Sequence, residues 1–277
     1  MASTDLVEYV LQLADNALVL GHRNSEWTGH GPILEQDIAL SNIALDLIGQ
    51  ARYLYQYAAR GINEGAGGVL GGRHGEATED TLAYGRDAWD FRNCLLVEQD
   101  NGDWGKTILR QFLFSAWQYY FYDRLRGSRD RELAAIAEKS VKEVAYHLRW
   151  SGEWVVRLGD GTEESHERME RAFDQLWKFT GELFVPATYE RSLITAGIAV
   201  DLTLIRSLWE EKVGEVLVEA RLVVDGGGGA ASGGERGGAG AAVWMQTGGK
   251  EGRNTEHLGY LLAEMQFLQR TYPNCEW

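Results

Sequence analysis

Carboxylates and imidazoles recur at helical spacing in this chain, the pattern from which helical bundles build two-metal, oxygen-activating centres. The segment Ile33–Tyr57 carries a polar stripe, Ser41, Asn42, Asp46, Gln50 and Tyr53, between runs of Ile, Leu and Ala. Glu143 and His147 lie four residues apart on a second long segment and so share a helix face. Asp87 and Asp90 are three apart, and Asp174 is followed three residues later by Trp177. A centre of this kind takes about six ligands from four helices, including a Glu-x-x-His pair on each of two. The Glu-x-x-His match present, Glu163 to His166, opens a helix directly after the Gly159–Thr162 turn, at a bundle's end rather than its middle. Glu163 is therefore read as a carboxylate set against the positive end of a helix dipole.

The remaining set allows two readings. In one, Asp46, Asp87, Asp90, Glu143, His147 and Asp174 make an unusual carboxylate-rich metal site, and the chain is itself a di-iron oxygenase. In the other, they form salt bridges and hydrogen bonds with Arg52, Arg86, Lys142 or Lys178. With one imidazole among them, and an indole at Trp177 that donates a proton instead of binding metal, the second is preferred. On that reading the chain has no metal ligand, no cofactor and no catalytic residue.

Other chemistry is weaker. There is no Gly-x-Ser-x-Gly elbow, no phosphate loop and no dinucleotide fingerprint. Thr247–Arg253 is basic and glycine-turned in an acidic protein, and reads either as an anion or partner contact or as a solvated turn. Phe112, Phe114, Trp117, Tyr119, Tyr120, Phe121 and Tyr122 surround one helix on all sides, which suggests a subunit interface.

These residues need long helices to position them, and the sequence supplies them. With three prolines in 277 residues, long stretches run without a breaker. Thr4–Leu20 reads as a helix capped by Ser3 or Thr4. A second starts near Ile33, beside Pro32, and continues through Ala58. Further helices are expected over Thr78–Val97, Trp104–Leu125, from the Asp130 cap to Leu158, over Glu164–Phe184, and from Asp201 to Leu217. Residues 185–200 read as an irregular crossing, and Val218–Val224 as a short strand. A last helix spans Asn254–Gln269, capped by Asn254 or Thr255. Glycine-rich stretches at 61–75 and 225–242 read as loops. The chain is expected to be one domain, residues 1–277.

A net charge of −14 argues against nucleic acid and against a polybasic membrane contact. Two cysteines, Cys94 and Cys275, make no disulfide framework, so a reducing cytoplasm is expected. No basic leader and no apolar run near 20 residues is visible.

Five segments carry a resemblance: LADNALVLGHRNSEWTGHGPILEQDIALSNIALDLIGQAR (Leu13–Arg52), NCLLVEQDNGDW (Asn93–Trp104), KEVAYHLRWS (Lys142–Ser151), LWKFTGELF (Leu176–Phe184) and TGGKEGRNTEHLGYLLAEMQFLQR (Thr247–Arg270). Together they resemble the C subunits of the multicomponent ring-1,2-phenylacetyl-CoA epoxidases of aerobic phenylacetate catabolism. The resemblance covers nearly the whole chain, with the two glycine-rich stretches as insertions. It implies an all-α, ferritin-like helical bundle with additional C-terminal helices. It also implies a structural, non-catalytic role, in which the chain binds and stabilises a homologous A subunit. The A subunit would hold the di-iron centre and oxidise the ring, with electrons delivered from NADPH by a reductase subunit. Asp90 and Trp177, where imidazoles would be expected, agree with a degenerate site whose remnants are Asp46, Asp87, Glu143 and Asp174. By position, the family's CoA tail would reach Asp90, Phe91, Arg92, Asn93, Arg191, Ser192 and Leu193. Among these, Arg92 and Arg191 suit phosphate.

Overall fold

The structure, a computed structural model, describes residues 3–66, 76–222, 244–272 and 275. Among them every regular element is helical, as an all-α bundle requires. Four long helices dominate: α1 (Thr4–Ser25), α2 (Leu34–Gly61), α5 (Trp104–Leu125) and α6 (Arg131–Gly159). The shorter ones are α3 (Glu79–Tyr84), α4 (Leu95–Glu98), α7 (Glu163–Leu176), α8 (Thr188–Thr195), α9 (Thr203–Glu219), α10 (Glu256–Met265) and α11 (Phe267–Thr271). This arrangement is consistent with the expected ferritin-like layout.

Local chemistry starts the long helices. Ser3 accepts the Leu6 amide at α1, Asp103 accepts Lys106 N–H at α5, and Asp130 accepts the Glu132 and Leu133 amides at α6. Such caps satisfy donors that have no partner inside the helix. α1 and α2 form one antiparallel hairpin: Gly21 lies against Ala44, Leu47 and Ile48, while Tyr55 reaches back to Asp15. α5 and α6 form another, with Phe112 beside Gly152 and Arg126 beside Glu138. Buried apolar side chains from Leu6 to Leu262 make one continuous cluster.

The aromatic helix is a correction. α5 packs against α6, α7 and α9 of its own chain. Phe112, Phe114, Trp117, Phe121 and Tyr122 are buried there without any partner subunit, and only Tyr119 and Tyr120 are partly exposed. An all-round apolar helix marks the centre of a multi-layered fold here.

The expected Thr78–Val97 helix is also corrected. It breaks into α3, a 3-10 turn at Ala88–Asp90, an extended link and α4. The cause is capture of backbone donors by α1. The Arg92 amide donates to Asp15 Oδ2 at 2.7 Å and the Cys94 amide to Asn16 Oδ1 at 2.7 Å. Likewise α7 stops at Leu176, and 3-10 turns at Trp177–Phe179 and Gly181–Phe184 follow. The crossing at 185–200 contains α8, and α9 runs on to Glu219, through the start of the expected strand. Val223 and Val224 lie outside the described residues, as do 67–75 and 225–242. The C-terminal helix is bent into α10 and α11, with Thr255 rather than Asn254 at its N-cap position.

Thr247–Arg253 is not a wholly solvated turn: Gly248, Gly249, Lys250 and Gly252 are buried, while Thr247, Glu251 and Arg253 are exposed. It is threaded into the fold as a strap. A Cβ on Gly249 would sit 2.3 Å from the Asn93 carbonyl, so this position admits only glycine. Lys250 is buried, and its Nζ meets Glu190 at 3.2 Å and the Val185 carbonyl at 3.1 Å.

Candidate functional site

Of the six carboxylate and imidazole candidates, the bundle brings three together, on α2 and α6. His147 is fully buried, and its Nε2 lies 3.0 Å from Asp46 Oδ2. One turn along, the Gln50 amide donates to Glu143 Oε2 at 2.9 Å. The Gln50 carbonyl accepts from Gln118 at 3.1 Å and from the Tyr122 hydroxyl at 3.4 Å, both on α5. The polar stripe of α2 therefore becomes a hydrogen-bonded seam across α2, α5 and α6. The 3.6-residue period puts Asp46 and Gln50 on one face, opposite His147 and Glu143 at the same spacing.

The other candidates lie elsewhere. Asp87 is exposed and pairs with Arg270 at 2.8 Å. Asp90 closes its 3-10 turn by accepting the Asp87 amide at 3.2 Å. Asp174 is exposed on α7. The expected basic partners differ too. Arg52 pairs with Glu79 at 3.4 Å, Lys142 approaches Glu138 at 3.9 Å, and Lys178 lies 5.1 Å from the centroid of the Phe179 ring. Arg86 is buried on Asp15.

The seam does not fit a di-iron centre. Its polar groups are two carboxylates, one imidazole, two amides and the Tyr122 hydroxyl, and the imidazole nitrogen facing the seam is already matched to Asp46. The other ring nitrogen, Nδ1, is buried without a hydrogen-bond partner. Among the described residues no three His, Cys, Asp or Glu side chains converge as metal ligands.

The two segments proposed for CoA meet at the start of α1. Arg92 Nε donates to Glu8 Oε2 at 3.0 Å, and Ser192 Oγ to Asp5 Oδ2 at 2.5 Å. Asp5 and Glu8 are one turn apart, so residues 90–93 and 191–193 flank the same edge of the bundle. Phe91, Asn93 and Leu193 are buried there. Arg191 and Ser192 are exposed, and Arg92 is partly so. Arg191 has no ion pair among the described residues.

Sequence reasoning missed two buried polar clusters. In one, Asp15 accepts from Arg86, the Arg92 amide and Tyr55, the last at 2.5 Å. Burial and the Asp15 charge push the Tyr55 hydroxyl well above its ordinary range. In the other, Glu182 accepts the Leu95 and Gly248 amides, each at 2.7 Å, and Glu98 accepts Thr255 N–H at 2.6 Å and Asn93 Nδ2 at 2.8 Å. Burial raises the Glu98 carboxyl to about 7. The available signals were an Asp-Asn pair inside the apolar run of α1 and the three-residue spacing of Glu98 and Asn101; nothing local marks Glu182.

The comparisons agree with this architecture. The sequence model described as phenylacetic acid catabolic protein, for the PaaA and PaaC chains, matches residues 1–277. An Escherichia coli (strain K12) protein, the C subunit of 1,2-phenylacetyl-CoA epoxidase, is 45% identical over 272 residues, 98% of this chain and 99% of the relative. No helix among the described residues is long and apolar enough to cross a membrane. A helical bundle with this sequence along its whole length belongs to the phenylacetic acid catabolic protein family of PaaA and PaaC chains.

Proposed function

We propose that this chain is the metal-free structural subunit of a phenylacetyl-CoA 1,2-epoxidase. It binds and stabilises a homologous catalytic A subunit, which supplies the di-iron centre. The observation that carries the reading is Gln50. Its amide and carbonyl close the seam between Glu143, Gln118 and Tyr122 where an oxygenase would need another carboxylate. The Gln50 amide and carbonyl both have partners there, so the position rigidifies the seam and holds an amide in place of a metal-binding carboxylate.

Partner binding has its own support. α2 exposes Leu34 (72%), Ile38 (50%) and Leu45 (66%), an apolar row unusual on a helix facing only water. The relative is named as a subunit, so a chain of this kind has partners. At the edge of α1, the exposed Arg191 and the partly exposed Arg92 offer cationic donors to the phosphates of a CoA ester held mainly by the catalytic subunit, with Ser192 beside them hydrogen-bonded to Asp5. The work would take place in the cytoplasm, as two cysteines that make no disulfide framework lead one to expect.

The test is anaerobic loading of the purified chain with Fe(II), desalting and metal analysis, followed by co-expression with the catalytic subunit. Iron near zero with stable co-purification is the expected result. Stoichiometric iron that disappears in Glu143→Ala would establish a second active site instead.

A further inference from the structure

The strap touches both segments that flank the α1 edge. On one side it lies on residues 89–95. A Cβ on Gly252 would meet the Trp89 carbonyl at 2.7 Å and Arg92 Nη1 at 2.8 Å, and one on Gly249 would meet the Leu95 amide nitrogen at 3.0 Å. On the other side the strap holds the start of α8. The Thr188 amide and hydroxyl each donate to Glu251 Oε1 at 3.0 Å, and the Tyr189 hydroxyl donates to the Lys250 carbonyl at 3.0 Å. Lys250 Nζ donates to Glu190, the residue before Arg191, at 3.2 Å. One short segment therefore fixes Arg92 and Arg191 relative to each other.

Gly252 is the informative residue. Its φ of +78° lies in the left-handed region, and the space above it is already filled by the Trp89 carbonyl and the Arg92 guanidinium. Conformation and close approach both call for glycine where the strap passes beneath Arg92.

Arg253 follows directly. Its amide donates to the Gly248 carbonyl at 2.9 Å, and its Nε lies 3.2 Å from the point that a Cβ on Gly248 would occupy. The side chain is thus laid across the backbone of its own strap, yet the residue is exposed and makes no ion pair among the described residues.

The neighbouring carboxylates are already engaged. Asp5 accepts from Ser192, Glu8 from Arg92, Asp90 from the Asp87 amide and Glu251 from Thr188. Arg253 is joined to Arg92 through Gly252, and Arg191 is joined to it through Ser192, Asp5 and Glu8. Two exposed guanidiniums without carboxylates, mounted on a braced backbone, match the charge and fork geometry of phosphate groups. Bracing lowers the ordering cost that a mobile loop would incur on binding.

We propose that the strap is a third part of the acyl-CoA edge. It holds residues 90–93 and 191–193 in register and presents Arg253 to the phosphates at the nucleotide end of the thioester. Arg253 touches the ligand, while Gly252 and Lys250 are positioning residues. The inference rests on the CoA reading given above, and its test separates the two.

The experiment uses the complex co-purified with the catalytic subunit and two substrates, phenylacetyl-CoA and the phenylacetyl thioester of pantetheine, which lacks the nucleotide. Arg253→Glu is expected to raise KM for phenylacetyl-CoA about tenfold, which is ~1.4 kcal/mol, with kcat preserved. KM for the pantetheine thioester should rise far less. Gly252→Ala should show the same split, because it displaces the strap from beneath Arg92. A purely structural role would lower Tm without separating the two substrates. An unchanged KM for phenylacetyl-CoA in Arg253→Glu, beside a raised one in Arg191→Glu, overturns the strap proposal and leaves the CoA edge standing. Equal increases for both substrates overturn it as well. Unchanged KM in both arginine variants removes the strap and the edge together. Arg253 is exposed and unpaired, so Arg253→Glu keeps the test decisive even if Gly252→Ala fails to fold.

Discussion

Lys250 Nζ lies 3.2 Å from Glu190 Oε2, and the two side chains are 4% and 1% exposed. This ion pair locks the C-terminal strap to the segment that carries α8. A buried charge left without its partner is expensive, on the order of 3–5 kcal/mol, whereas replacing both partners by apolar groups costs much less. Lys250→Met should therefore lower the free energy of unfolding by several kcal/mol, and Lys250→Met combined with Glu190→Leu should recover part of that loss. Urea denaturation of the four-member mutant cycle checks this. A double variant as damaged as the sum of the singles would show that the pair is not coupled.

Glu98 governs a pH dependence. Its carboxyl titrates at about 7 in the fold against an ordinary 4.5, chiefly because burial disfavours the charge. The folded state then holds a proton that the unfolded state has released. Stability from this group is complete below about 4.5 and is lost as pH rises to about 7, a change of order 3 kcal/mol. Half-buried His22 works oppositely. Burial lowers its imidazole to about 4, so its contribution is lost as pH falls from 6.5 to about 4. Glu98→Gln should remove the first effect and leave stability rising with pH over the acidic range. Denaturation midpoints at several pH values measure the slope, and an unchanged slope in the variant would dismiss the assignment.

Gln50→Glu probes the seam directly. It sets a second carboxylate beside Glu143, where the native amide donates at 2.9 Å. Like charges at that distance disfavour double ionisation. The variant should lose several °C in Tm at pH 7 and regain part of it at pH 5, where one carboxyl takes a proton. Equal losses at both pH values would mean that Glu143 is not ionised beside residue 50.

The arginines at the α1 edge separate binding from structure. Arg191 is exposed and makes no ion pair among the described residues, so Arg191→Glu should leave Tm nearly unchanged. In the reconstituted complex it should raise KM for the acyl-CoA several-fold with kcat preserved. Arg92→Glu loses the 3.0 Å contact to Glu8 and should also destabilise the chain. An unaltered KM in Arg191→Glu would take this edge out of the CoA site.

Thiol reactivity should distinguish the two cysteines. Cys94 is buried, and burial together with Glu182 pushes its thiol far above the ordinary range. Cys275 is exposed. Since the thiolate is the reactive form, an aromatic disulfide reagent should label Cys275 alone in the native protein and both residues after unfolding. Native labelling of Cys94 would mean that the 94–98 segment opens readily.

Much of the bundle was legible because its signals are local. The apolar stripe of α1, the Asp130 cap of α6 and the pairing of Asp46 with Gln50 on one face follow from helical period and capping chemistry alone. The Glu143–His147 spacing likewise placed two seam residues together before any fold was known. The Thr78–Val97 segment was misread because helical propensity lost to tertiary contacts: Asp15 and Asn16, more than 75 residues away in sequence, take the Arg92 and Cys94 amides.

The sequence by itself determined the all-α class, the long helices, the family resemblance and the shortage of imidazoles that weighs against a metal centre. Only the tertiary structure decided that Asp87, Asp90 and Asp174 stand apart from the seam, that the aromatic α5 is covered by its own chain, and that Lys250 is buried. The physical reason is range. Caps and stripes act within one or two turns, whereas the partner of a buried charge or a captured amide is chosen by packing between segments distant in the chain.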